Sequence, residues 1–240
     1  MMKDKATLKN EVRHDFASLR ALMEILRSED GCPWDREQTH ASIRKCLIEE
    51  TYEVAEAIDN DDPGLLREEL GDLLFQAVFH ARIEEEAGRF DIADVVHDIT
   101  EKMINRHPHV FGEVQAHTSA QVLDKWENIK NEEKQIESVT QALRRVPPHL
   151  PALMRAQKIQ GKARKKMGYG YTCPEEAISA GQAALSRAAD GGDLSAELAA
   201  ALFALCAAAE LSEVDLEGAL TRQSDAFIDA VSAAEQGKNS

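Results

Sequence analysis

Two acidic pairs stand where apolar residues are expected. Glu50 and Glu53 are spaced i,i+3, and so are Glu69 and Asp72, so the members of each pair point the same way if their segments are helical. Around the first pair, Ile43, Leu47, Val54 and Ile58 recur at helical spacing and define a core-facing stripe that contains Glu50, with Glu53 one turn on beside Ala57. Around the second, Leu65, Phe79 and Ile83 mark a face that also holds Glu69, Asp72 and Gln76. An unpaired carboxylate among apolar groups costs several kcal/mol, and four converging would also repel one another. A divalent cation removes both problems, and an all-oxygen donor set suits Mg²⁺, with Mn²⁺ as a substitute. Glu49 and Glu68 adjoin the pairs and are candidate outer partners.

The segments that must position these residues read as helices. Val12, Phe16, Leu19, Met23 and Leu26 form a first apolar stripe, which stops at the turn-forming run Asp30-Gly31-Cys32-Pro33-Trp34-Asp35. A second helix is predicted from about Ala41 to Ile58. Asp62 and Pro63 supply an N-cap and first helical residue for a third, running to about Glu86. Asp91 caps a fourth carrying Ile92, Val95, Ile99 and Met103, which ends at His107-Pro108-His109. Thr118 or Ser119 opens a fifth, with Val122, Trp126 and Ile129 on one side. Four more are predicted near 152–166, 174–189, 194–209 and 215–234, in alanine-rich sequence. No alternating strand pattern appears, so the expected fold is all-α. The expected domains are residues 1–134, a proline-rich link over 135–151 around Val146-Pro147-Pro148, and residues 152–240.

Composition sets outer limits. Hydrophobic residues make up 43% of 240 residues, a globular composition. The formal net charge of −15 argues against nucleic acid as a partner, which needs clustered Lys and Arg. No apolar run of about 18 residues is seen, so no membrane span is expected. The first residues lack the pattern of a secretory signal. Cys32, Cys46, Cys173 and Cys206 are scattered, as reduced thiols of a cytoplasmic protein would be.

Glu49-Glu50-Thr51-Tyr52-Glu53 followed by Glu68-Glu69-Leu70-Gly71-Asp72 resembles the E-x-x-E…E-x-x-D signature of the MazG family of nucleoside triphosphate pyrophosphohydrolases. Gly31-Cys32-Pro33-Trp34-Asp35, Gln38-Thr39-His40, Arg106 to Gly112, Trp126 to Lys130 and Leu150 to Lys158 look like landmarks of the same family, so the resemblance covers residues 15–170 closely. It implies that Glu50, Glu53, Glu69 and Asp72 bind Mg²⁺ and that ribo- and deoxynucleoside triphosphates are cut to monophosphate and pyrophosphate, as nucleotide-pool housekeeping. Such chemistry needs a polyanion neutralised and a water activated, which hard cations provide. Glu49 and Glu53 are the alternative catalytic bases. By the same resemblance Lys102, Arg106 and Lys130 contact phosphates, with Trp126 near the base or sugar. A helical unit of this size is expected to complete its core as a homodimer.

Other constellations are weaker. Glu37-x-x-His40 is half of a carboxylate-bridged di-iron motif and has no second half. His80, between Phe79 and Ala81, reads as a satisfied core histidine, while His107 and His109 shape a turn around Pro108. No glycine-rich phosphate loop occurs. The second half reads as a degenerate copy of the first. Glu69 to Phe75 lies against Glu197 to Phe203, with Ala200 opposite Asp72. Ala180, Gly181 and Ala184 lie roughly against Glu49, Glu50 and Glu53, and Ala226 and Ala230 stand opposite Lys102 and Arg106.

Overall fold

The long helices of the first half begin where the sequence offers a side-chain acceptor. In the computed structural model, which describes residues 4–112, 118–119, 121–122, 125–126, 129, 133 and 138–238, these residues form helices and turns and no strand. The chain divides into two units, Met1–Trp126 and Glu127–Ser240.

The first unit holds α1 (Lys5–Asn10), α2 (Phe16–Leu26), α3 (Pro33–Glu37), α4 (His40–Asp59), α5 (Pro63–Glu86), α6 (Ile92–Arg106) and α7 (Pro108–Phe111). Asp15, Thr39 and Asp91 make reciprocal capping boxes with Ser18, Ser42 and Asp94. Asp62 accepts from the Gly64 and Leu65 amides ahead of α5, with Pro63 as the first helical residue. The three-residue turn Asn60–Asp62 joins α4 to α5. Asp61 there takes φ +50°, a left-handed conformation that Asp and Asn tolerate better than most residues. The two helices pack along each other as a hairpin, while α2 and α6 pack on α5. Met23, Ile43, Val78, Phe79, Ala81 and Ile92 form the core, with Leu19, Phe75 and Ile83 against it.

Arg27 fixes the approach to this hairpin. Its guanidinium pairs with Glu86 at 2.7 Å, donates to the carbonyls of Asp35 and Gln38, and lies 5.3 Å from the Phe79 ring centroid. The Gly31 turn ahead of α3 is tight: a Cβ there would collide with the carbonyl oxygens of Ile25 and Leu26, so only glycine fits. Two sequence expectations are corrected. Val12 lies in the bend before α2, fully exposed, because Asp15 starts that helix three residues later. Ile58 is exposed, and Ala57 is the residue that turns inward at the end of α4.

Phe79 is among the largest fully buried side chains. Phe79→Ala is expected to cost about 3–5 kcal/mol through lost transfer energy and the cavity left behind. Both tryptophans, Trp34 and Trp126, belong to the first unit. Denaturant unfolding followed by tryptophan fluorescence therefore reads that unit alone.

The second unit holds α8 (Val139–Arg144), α9 (Ala152–Met167), α10 (Pro174–Ala189), α11 (Leu194–Leu211) and α12 (Leu216–Lys238). The segment read as a link thus contains α8, capped by Ser138 and packed on α9. Helices α10 and α11 approach closely because their shared face is small: Ala177, Gly181 and Ala184 are buried on one, Ala201, Ala204 and Ala208 on the other. Among the described residues α11 alone is long and apolar enough to cross a membrane, with mean hydropathy 1.7, a feature the search for uninterrupted apolar runs missed. Here it packs against α9 and α10.

Candidate functional site

The α4–α5 hairpin brings the acidic pairs together. One carboxylate oxygen from each of Glu50, Glu69 and Asp72 can be chosen so that all three lie within 4.8 Å of one another. Glu50 and Glu69 are half-buried and Asp72 is exposed. Glu53 hydrogen-bonds to Glu50, and its charge also acts on Glu69. Burial pushes the Glu50 carboxyl above its ordinary range, reinforced by the bond to Glu53 and by the charges of Asp72, Glu53 and Glu69. Glu69 is raised as well, first by burial and then by Glu53, Asp72, Glu68 and Glu56. Burial first and mutual repulsion second disfavour the charged forms here, and a cation at this place would offset both. Three oxygen donors with this spacing, with Glu53 bonded to one of them, suit a hard divalent ion.

The other expected site residues are distributed as follows. Glu49 is exposed and pairs with Lys45 at 2.8 Å, one turn back on α4. Lys102 is exposed on α6. Arg106, one turn on, is buried, with its guanidinium carbon 5.0 Å from the Trp126 ring centroid, a cation–π arrangement. Lys130 falls outside the described residues. Glu56 belongs to the electrostatic surroundings of Glu69 and was not singled out from sequence, although its i,i+3 spacing from Glu53 was a visible signal.

Beyond the carboxylates a second polar group continues along α5. His80 is not the satisfied histidine expected. The Nδ1 atoms of His40 and His80 lie 2.7 Å apart, but the buried His80 Nε2 has no partner. His40 Nε2 faces Glu84, which also accepts from Arg89. The Arg89 guanidinium, with help from His40, holds the Glu84 carboxyl down at about 2. Glu84 is therefore ionised, so His40 Nε2 is the donor in that contact. Burial and the facing His40 lower His80, keeping its imidazole neutral.

The first unit is thus an all-α fold whose longest hairpin carries converging carboxylates, with an arginine stacked on a tryptophan from the residues after α6. Residues 38–111 match the MazG nucleotide pyrophosphohydrolase domain. The chain is 40% identical over 217 residues to the nucleoside triphosphate pyrophosphohydrolase/pyrophosphatase MazG of Thermotoga maritima, covering 89% of this chain and 83% of that one. It is 50% identical over 155 residues to the nucleoside triphosphate pyrophosphohydrolase of Escherichia coli, covering 64% of this chain and 59% of that protein. The Mycolicibacterium smegmatis protein of the same name is 39% identical over 172 residues, of which 51% of its length is spanned. The chain belongs to the MazG family, and it is a hydrolase.

Proposed function

We propose that this protein hydrolyses nucleoside triphosphates, ribo- and deoxy-, to nucleoside monophosphate and pyrophosphate, with Mg²⁺ at Glu50, Glu53, Glu69 and Asp72. The observation that carries this reading is the convergence of Glu50, Glu69 and Asp72 oxygens within 4.8 Å. When bound, the ion supplies charge neutralisation and a more acidic water; Mn²⁺ satisfies the same donors. The chain's own side chains do the rest. Glu53 is the base favoured over Glu49, because Glu53 is bonded into the carboxylate group while Glu49 is turned to Lys45. Lys102, Arg106 and Lys130 meet phosphate charge, and the stacking on Arg106 holds Trp126 in place for the base or sugar.

The division of labour follows the carboxylates. Activity resides in residues 1–134, followed by the 135–151 link, and residues 152–240 are a degenerate MazG-like copy. In that copy buried Gly181 and Ala184 and exposed Ala200 leave no donors to hold a cation. Exposed apolar residues on α12, Leu220, Phe227, Ile228 and Val231, support a homodimer. Four unpaired cysteines suit a cytoplasmic setting, nucleotide-pool housekeeping suits the substrate class, and neither nucleic acid nor membrane is a partner of this reading. Chromatography of products from a panel of ribo- and deoxynucleoside triphosphates tests it. Monophosphate plus pyrophosphate is expected; diphosphate plus orthophosphate would place the cut at the γ-phosphate and overturn the proposal.

A further inference from the structure

Gln76 is 8% exposed, and its amide oxygen is buried with no hydrogen-bond partner. It stands one turn after Asp72 on the same face of α5. A helical side chain leans toward the N-terminal end of its helix, so Gln76 projects over the turn that carries Asp72. A buried acceptor without a donor is destabilising, a cost that a methionine of similar shape would not carry. The neighbouring carboxylates cannot satisfy it, since ionised carboxylates only accept. The geometry points instead to a donor that arrives with whatever the carboxylates hold. A hard cation such as Mg²⁺ retains several waters, each with O–H groups that need acceptors. Water is small enough to reach an oxygen that is closed to bulk solvent, as a nucleoside is not.

We propose that the Gln76 amide oxygen accepts a hydrogen bond from the hydration shell of the cation at the Glu50–Asp72 centre, making Gln76 a positioning residue for the water used in hydrolysis. This rests on the metal site of the proposed function. It extends that site one turn along α5, to a neutral residue that contributes no charge. The competing explanation is a donor from the protein itself.

The test compares wild type, Gln76→Met and Gln76→Glu in three measurements: calorimetric titration with MgCl₂ alone, Tm in chelator, and kcat with KM. Gln76→Met is expected to weaken Mg²⁺ binding by about 10–100-fold, as loss of an outer hydrogen-bond partner does. Its Tm in chelator should rise, because the unpaired oxygen is gone, and the activity loss should fall on kcat with KM little changed. Gln76→Glu keeps an acceptor and should bind Mg²⁺ at least as tightly as wild type. Unchanged Mg²⁺ affinity in Gln76→Met overturns the proposal. A lowered Tm in chelator with unchanged affinity does so too, and identifies a protein group as the donor to Gln76. A wild type that binds Mg²⁺ but cleaves no triphosphate refutes the proposed function alone, while the calorimetry still decides the role of Gln76.

Discussion

Glu69→Ala is expected to remove turnover while the protein stays folded, and Glu197→Ala is expected to leave turnover within about twofold of wild type. In the proposed degenerate copy Glu197 stands opposite Glu69, so the comparison separates chemistry from position. Glu69 is half-buried, surrounded by Glu53, Asp72, Glu68 and Glu56, and within 4.8 Å of donor atoms from Glu50 and Asp72. Loss of an outer partner of a metal site typically costs 10–100-fold, so loss of a direct ligand should exceed about 100-fold. Removing one of several repelling carboxylates should leave the metal-free Tm unchanged or raised. Glu197 has a different occupation: it pairs with Arg187 at 2.7 and 2.9 Å, which depresses its carboxyl and ties α10 to α11. Arg187 is more than half exposed, so that bridge contributes little to stability. Steady-state kinetics on the two variants decides the matter. A silent Glu69→Ala with a crippled Glu197→Ala would move the active centre into the second unit.

Divalent metal should change both activity and stability. Chelation is expected to abolish turnover, and Mg²⁺ at about 100 times its dissociation constant should add roughly 2.7 kcal/mol to the stability of the first unit. The pH dependence follows from the raised Glu50 and Glu69 carboxyls. A carboxyl raised in the fold favours the folded state most below its unfolded value, and that contribution is lost as pH rises through the folded value. Metal-free protein should therefore lose part of its stability between the ordinary carboxylate range and neutrality. With Mg²⁺ the trend reverses, because protons compete with the ion for the same oxygens. Thermal unfolding followed by tryptophan fluorescence, at several pH values with and without Mg²⁺, reads both trends. Identical curves with and without the ion would remove the metal from the site.

The acidic pairs were legible because two local signals coincided. The i,i+3 spacing put each pair on one helical face, and the apolar stripes marked that face as inward. Caps were equally readable: Asp62-Pro63 and Asp91 start their helices where the sequence said they would. The misreadings share a physical cause, since periodicity gives a face but not what lies across from it. Ile58 continues the stripe of α4 yet finds no neighbour at the helix end. His80 reads as core from its flanking residues, but its partner is His40, forty positions away. The α8 helix escaped notice because six residues are too few to show a period among prolines.

The turn at Asp61 has a consequence for how this enzyme can vary. Glu53 lies seven residues before Asn60 and Glu69 seven after Asp62; Glu50 and Asp72 lie ten before and ten after. Seven residues are close to two full helical turns and ten to nearly three, so all four carboxylates share one phase about the bend. The two arms act like matched rulers read from a common zero. A single residue inserted or deleted within either arm would rotate its outer pair by about 100° and scatter the donors, even if every glutamate and aspartate were retained. Drift in composition along these helices is tolerable; drift in length is not.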